Sequence, residues 1–484
     1  MLTFAWCTTI VQRADGAIFE HLSRGILNFI LTTETIMLRR KVDSFLRVWK
    51  DGKKALLIDG ARQVGKTYSL RKFAEAHFGT CLYLNFFENK EAVRVLSGAT
   101  DTRDFLLRLS SLVDRPLVKG DTVIFLDEIQ ELARHYDIVT TSKFLVEDGA
   151  YRYIFSGSML GVELTDAKSW PVGYLMSETM FPLDFEEFLW ANNVSEELID
   201  RARECFDRQI PLEDFIHEKL MSQLRYYLLV GGMPDAVRAF VETNDFNQVA
   251  AAHRAIQNFN RKDIAKYAKE DEKLSIKQIF DLIPEELNGK SKRFQLKDID
   301  GLKRGNNINI SFAWLESAGV AIPVYNTKEP LVPLLINRER TTLKLFLEDV
   351  GLLTAELLSP QDKAALLNGD FSINEGAVCE NLIAQWLKAH GFDKQFYFNS
   401  KKVGEVDFLV EHDHRVLPIE VKSGGNYRQH SALDNLMNIP NYALDAAYVF
   451  CPSNVMKAGR CVYFPLYMAD FLYQRDRYLQ TANR

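Results

Sequence analysis

The chain has 484 residues, of which 47% are hydrophobic, 12% aromatic and 26% charged. That balance excludes a disordered, collagenous or coiled-coil chain, and at about 150 residues per domain the length predicts roughly three domains. The formal net charge is −6, so any nucleic-acid signal has to be a local basic patch.

Residues 1–36 have no basic segment ahead of an apolar run, so no signal peptide is expected. Met37-Leu-Arg-Arg-Lys-Val-Asp-Ser-Phe-Leu46 reads as a domain start. Residues 1–36 are then an extension outside the core fold, a helical arm being the alternative. Within 37–190, Ala55–Asp59 is an apolar strand running into a glycine, and Tyr68–Phe78 has helical spacing. Cys81–Phe86 is a strand, Asp101–Val113 a helix, Thr122–Leu126 and Tyr151–Ser156 strands. Strands alternating with helices predict a parallel α/β sheet. Residues 191–270 are mostly helical, with a break at Gly231-Gly232-Met233-Pro234.

Gly60-Ala61-Arg62-Gln63-Val64-Gly65-Lys66-Thr67 matches the pattern G-x-x-x-x-G-K-[ST]. Glycines let backbone N–H groups wrap a phosphate, the lysine reaches the β- and γ-phosphates, and the hydroxyl holds Mg²⁺. The strand before it and the helix after it supply the context such a loop requires. Thr122-Val-Ile-Phe-Leu-Asp127-Glu128 is the expected second half, an apolar strand ending in acid. Asp127 would support Mg²⁺, and Glu128 would orient the attacking water. Tyr151-Arg-Tyr-Ile-Phe-Ser156-Gly157-Ser158 ends in hydroxyls. Either serine could sense the γ-phosphate, or the segment is an ordinary strand-to-loop turn.

In 271–365, Ile276–Leu287, Gln295–Leu302 and Ile308–Ala318 read as three short helices, Gly319 as a helix end, and Val320–Tyr325 as a strand. This suggests a winged-helix module. Lys290, Lys292, Arg293, Lys297, Lys303 and Arg304 face only Asp298 and Asp300. They are either a phosphate-binding patch or a solvated helix face.

In 366–484, Glu375–His390 is an amphipathic helix, Gln395–Asn399, Val406–Val410 and Val416–Lys422 are strands, Ser431–Met437 is helical and Ala446–Cys451 is a strand. A two-residue turn at Asp413-His414 sets Asp407 opposite Glu420 and Glu405 opposite Lys422. The charged residues then share one face, and Val406, Phe408, Val410, Leu417, Ile419 and Val421 share the other. Opposed carboxylates repel unless a cation lies between them. Mg²⁺ on Asp407, Glu420 and the Val421 carbonyl, with Lys422 orienting a water, would cleave phosphodiesters. The six cysteines are far apart and form no C-x-x-C pair, which fits a reducing, cytoplasmic setting. No run of about 18 apolar residues exists, so no membrane association is expected.

The phosphate loop, Leu126-Asp-Glu-Ile-Gln130, Ser156-Gly-Ser158 and Phe181-Pro-Leu-Asp-Phe-Glu-Glu-Phe-Leu189 together resemble a family of prokaryotic AAA+-like ATPases. That family carries a C-terminal domain of unknown function related to PD-(D/E)XK nucleases. Gly231-Gly-Met-Pro234, Trp314-Leu-Glu-Ser-Ala-Gly319 and Leu347-Glu-Asp-Val-Gly-Leu-Leu353 also resemble it. The resemblance implies a P-loop NTPase sheet over 37–190, a helical lid over 191–270, a winged-helix-like part over 271–365 and a PD-(D/E)XK-like α/β domain over 366–484. It implies ATP and Mg²⁺ as cofactors, DNA as a partner and a homo-oligomer. Asp407, Glu420 and Lys422 match the PD-(D/E)XK core, and Glu380 matches its helical acid or is a solvated helix residue. Many relatives carry Gly-Arg where this chain has Gly173-Tyr174, so a candidate transition-state arginine is missing there. The expected function is ATP hydrolysis coupled to a nuclease-like domain on DNA. The alternative is a nucleotide-switched DNA-binding regulator that does not cleave.

Overall fold

The computed structural model describes residues 38–474, apart from 114–115, 159, 161–170, 172, 271, 290–291, 293, 295–306 and 370–374. The expected extension, the helix Gln295–Leu302, and Lys290, Arg293, Lys297, Lys303 and Arg304 therefore lie outside the described residues, as do Asp298 and Asp300.

Successive strand residues point to opposite faces, so an apolar strand without alternation is a strand covered on both sides. β1 (Ala55–Asp59), β2 (Thr80–Asn85), β3 (Thr122–Asp127), β4 (Arg152–Ser156) and β5 (Leu175–Thr179) form one such sheet. Every pairing in it is parallel, in the order β2-β3-β4-β1-β5. Ala55 and Leu57 pack into a core that includes residues of the helices Lys90–Ser97, Thr102–Ser111 and Ile138–Asp148. Leu56 and Ile58 pack into a second core with the helices Val42–Asp51 and Lys66–His77. The parallel α/β sheet is as expected. The sequence reading omitted β5, whose Leu-Met-Ser-Glu-Thr lies at an edge and buries one residue of five.

Five helices follow: Phe185–Ala191, Glu196–Arg208, Asp214–Val230, Pro234–Thr243 and Phe246–Tyr267. The Gly231-Gly232 break is an interlock. Gly231 has φ +71, and a side chain on either glycine would collide, with the Asp349 carboxylate or the Leu183 carbonyl. Instead Gly232 N donates to Asp349 Oδ2 at 2.6 Å, and Leu183 N donates to Gly232 O at 2.7 Å.

Helices Lys273–Asn288 and Asn307–Ser317 stand where two of the three short helices were expected, and Gly319 has φ +75. The strand after them differs from the winged-helix expectation. β6 (Ala321–Thr327) and β7 (Arg338–Leu347) pair antiparallel, and β6 also pairs in parallel with β8 (Gln395–Ser400). With β9 (Gly404–His412), β10 (Arg415–Val421), β11 (Ala447–Cys451), β12 (Met456–Ala458) and β13 (Cys461–Pro465) they form one eight-stranded sheet, in the order β12-β13-β11-β10-β9-β8-β6-β7. A boundary at 365 would cut this sheet. Helix Glu375–Ala389 packs on β6, β7, β8 and β10.

The β9–β10 hairpin has the expected register, from His412 opposite Arg415 to Phe408 opposite Ile419. Asp413 and His414 have φ of 49° and 63°, the doubly left-handed turn such a hairpin requires. The expected single charged face is interrupted, however. Against β8, Phe396 faces Leu409 while Phe398 faces Val406, so β9 carries one extra residue at Asp407–Phe408. Val406 and Leu409 consequently enter the same apolar core, while Phe408 packs on Phe346. A bulge of this kind re-aims a side chain, and here it falls at Asp407.

Candidate nucleotide site and C-terminal carboxylate cluster

The phosphate loop needs backbone that only glycine tolerates. Gly60 has φ +135, and a Cβ there would collide with the Met180 carbonyl of the strand-end opposite. Gly65, at φ +94, starts the helix Lys66–His77. Gln63, with φ 65, shapes the turn between them. Ala61 is buried and Gly319 packs against it. The Val64 carbonyl accepts a hydrogen bond from Arg40 Nη1 at 2.7 Å. Arg40 also donates to the Phe181 carbonyl at 2.7 Å and pairs with Glu187 at 3.1 Å. Sequence reasoning missed Arg40, because it precedes Val64 by 24 residues and looks like one of three ordinary surface cations.

Lys66 Nζ donates to Gly60 O at 2.9 Å, Ala61 O at 2.7 Å and Ser158 Oγ at 3.0 Å. Burial lowers its pKa, against the pull of Glu128, Asp127 and Asp59. Thr67 Oγ1 donates to Asp127 Oδ2 at 2.8 Å. The same carboxylate accepts from Tyr83 at 3.0 Å, from Asn85 at 3.2 Å and, on its other oxygen, from Ser156. Hydroxyl and carboxylate are thus side by side, the hard oxygen donors that Mg²⁺ takes. Glu128 follows with φ 55 and accepts from Gln130 and, at 3.3 Å, from Ser158 Oγ. Ser156 therefore orients Asp127, whereas Ser158 is the hydroxyl that touches both Lys66 and Glu128.

A cavity of about 180 Å³ adjoins the loop, lined by Asp59, Gly60, Ala61, Gly319, Glu348 and Gln385 among others. Glu348 follows β7 and is buried. Burial pushes its carboxyl up to about 8, against a hydrogen bond from Asn260 and the nearby Lys66 charge. Asn260 Nδ2 donates to Glu348 Oε1 at 3.1 Å, and Glu348 Oε2 has no hydrogen-bond partner. Asn260 belongs to a polar row on the helix Phe246–Tyr267, in which His253 bonds the Val230 carbonyl and Gln257 the Leu352 carbonyl. Asp263 pairs with Arg62 of the phosphate loop at 2.9 Å, and Arg62 also donates to Tyr267 OH at 2.9 Å. One helix therefore touches both the loop and the end of β7.

The Glu348 geometry makes a testable statement about pH. Its folded pKa lies above the unfolded value, so the native state keeps a proton that the unfolded state releases. Stability is therefore unaffected near pH 4 and falls as pH rises toward 8. Glu348→Gln should melt at a higher temperature than the wild-type chain at pH 8–9 and equally near pH 4.5. Parallel melting curves across that range contradict the assignment.

In the second sheet, Asp407 Oδ2 accepts from Val421 N at 2.8 Å, and Lys422 pairs with Glu420 at 2.7 Å. Burial raises the pKa of Asp407 well above the usual carboxylate range, and the charges of Glu420 and Glu380 add to it. Burial likewise raises Glu420, against Lys422. Glu420 Oε2 is buried without a partner. An unsatisfied buried carboxylate oxygen beside a second carboxylate is a donor set that fits a divalent cation. Glu380 is differently placed. One of its oxygens pairs with Lys292 and the other with Lys344 at 3.1 Å. Lys292, expected in a surface patch, is turned onto this acid. Lys344 is completely buried and also reaches Glu405 at 2.8 Å. Among the described residues, the one group of three His, Cys, Asp or Glu with mutually close ligating atoms is Asp184, His390 and Asp470, where Lys41 already pairs with Asp184; the expected set of Glu380, Asp407 and Glu420 does not close into such a group, because Glu380 is drawn onto Lys292 and Lys344.

Residues 52–189 match the family described as an AAA domain. Residues 221–363 and 375–467 match two domains of unknown function, DUF8612 and DUF4143. No curated protein matches the chain. Among solved structures the chain is similar to the Aeropyrum pernix ORC1 protein in complex with DNA, at 12% identity and a TM-score of 0.29, over 71% of this chain and 96% of that one. It is also similar to the Thermotoga maritima RuvB Holliday junction branch migration motor, at 14% identity and a TM-score of 0.30, over 63% and 92%. Residues 52–189 thus combine a five-stranded parallel sheet and a phosphate loop with a match to the AAA domain family. No helix among the described residues is long and apolar enough to cross a membrane.

Proposed function

We propose that the chain binds and hydrolyses ATP at the phosphate loop and uses the nucleotide to control a nuclease-like, divalent-cation-dependent site on DNA. The observation that carries the first half is the meeting of Lys66, Thr67, Asp127 and Glu128 at the ends of two strands separated by β4. Lys66 would exchange the Gly60 and Ala61 carbonyls for β- and γ-phosphate oxygens. Thr67 and Asp127 would hold Mg²⁺, which when bound neutralises phosphate charge. Glu128, held by Gln130 and Ser158, would take the proton of the attacking water, and Ser158 would report whether the γ-phosphate is present. Tyr174 donates to Glu147 at 2.7 Å in place of the arginine of relatives. A transition-state cation would then come from elsewhere, a second copy of the chain included.

The second half rests on Asp407, Glu420 and Lys422. Asp407, Glu420 and the Val421 carbonyl would hold the cation, and Lys422 would orient a water for attack on a phosphodiester. The regulator reading, without cleavage, is favoured by one observation: Glu380 is already neutralised by two lysines. Steady phosphate release from Mg²⁺-ATP by the full chain tests the first half. Linear release is expected, and a flat trace despite ATP binding would leave a switch in place of an ATPase.

A further inference from the structure

Cations are unevenly shared among the four acids of the C-terminal cluster. Lys344 Nζ lies 3.1 Å from Glu380 Oε2, 2.8 Å from Glu405 Oε1 and 3.9 Å from Asp407 Oδ1. Lys292 takes the remaining Glu380 oxygen. At the other end, Glu420 has Lys422 on one oxygen and nothing on the other. The Glu380 end is filled with positive charge, and the Asp407–Glu420 end is not.

We propose that Lys344 occupies the second cation position of this cluster, so that the chain takes one divalent cation, at Asp407, Glu420 and the Val421 carbonyl, and not two. The inference rests on the divalent-cation reading of the cluster given above. Paired metal ions that share a carboxylate stand about 3.5–4 Å apart and each needs several oxygen ligands. Lys344 already takes the Glu380 and Glu405 oxygens such a second ion would use, and it stands within ion-pair reach of the Asp407 oxygen that would bridge the two. An ammonium offers three donors and one charge. It supplies the electrostatic part of a second ion with none of its Lewis acidity. Its strand ends at Leu347, and the next residue, Glu348, lines the cavity beside the phosphate loop.

The test is a Mn²⁺ titration of the nucleotide-free full chain, read by calorimetry and by the Mn²⁺ electron-spin resonance signal. Wild type is expected to bind one ion that Asp407→Asn abolishes, and that variant also subtracts any ion held at the phosphate loop. Lys344→Met should admit a second ion, or bind the first roughly tenfold more tightly once a close positive charge is gone. Lys344→Arg keeps the charge and should keep one ion. Should Lys344→Met not fold, Lys344→Met combined with Glu405→Gln restores the charge count and is titrated in its place. One Asp407-dependent ion of unchanged affinity in wild type and in every Lys344 variant overturns the role of Lys344 but leaves the divalent-cation reading standing. Two ions in wild type do the same. No Asp407-dependent Mn²⁺ binding in any variant overturns both.

Discussion

Lys66→Ala abolishes nucleotide binding: the affinity for ATP falls at least about a hundredfold, which corresponds to roughly 2.7 kcal/mol. The magnitude follows from where the ammonium sits. It is buried, carries three hydrogen bonds to oxygen acceptors, and lies at the mouth of a helix whose backbone N–H groups already favour an anion. Charge-assisted hydrogen bonds to phosphate in such a place are worth about twice neutral ones. Lys66 also ties the Gly60 and Ala61 carbonyls into the loop, so the variant loses part of the loop's shape along with the charge. Equilibrium dialysis with labelled ATP measures the loss, and an unchanged melting temperature without nucleotide shows that the sheet is intact. Micromolar affinity in the variant would contradict the assigned loop.

Glu128→Gln separates binding from hydrolysis. Glutamine keeps the size and one acceptor oxygen, for Gln130 Nε2, turns an N–H toward the Ser158 hydroxyl, and takes no proton. ATP should bind with the wild-type affinity, while turnover falls about 10²–10⁴-fold, the usual contribution of a positioned general base. Its left-handed backbone aims the side chain away from the strand direction and toward Ser158 and Lys66. Single-turnover quench experiments check the prediction. Turnover within threefold of wild type would assign the base elsewhere.

Much of the nucleotide domain was legible because its signals are local. β1, β3 and β4 are short unbroken apolar runs, each ending where a glycine, an acid or a serine begins, and β1 and β3 end at the residues the chemistry needs. The hairpin register followed from two residues, Asp413 and His414, that tolerate left-handed backbone. What stayed hidden depends on distant partners. β7 reads Arg-Glu-Arg-Thr-Thr-Leu-Lys-Leu-Phe-Leu, so Lys344 resembles a solvated position until Glu380, Glu405 and Asp407 are seen to surround it. β6 looked like the end of a small helical module because its neighbours β7 and β8 flank it on both sides, one of them some 70 residues on. The bulge at Asp407 has no glycine to announce it. Arg40, Asn260, Asp263 and Glu348 are polar residues on buried faces, and periodicity marks such faces without saying which polar atoms meet.

The sheet also bears on how the C-terminal cluster should be studied. Lys344 and the β6–β7 pair belong to it, so a fragment beginning near residue 370 would lack two strands and the lysine of the site. Measurements belong on the full chain.

The most direct test of the central claim, that a nucleotide site governs a nuclease-like site, is cleavage of linear, circular and single-stranded DNA with Mn²⁺, with and without ATP, by wild type beside Lys422→Ala. Cleavage is expected by wild type and not by Lys422→Ala, at a rate that changes when ATP is added. Absence of cleavage under every condition, by a chain that still binds ATP, would contradict it and leave a nucleotide switch without a nuclease.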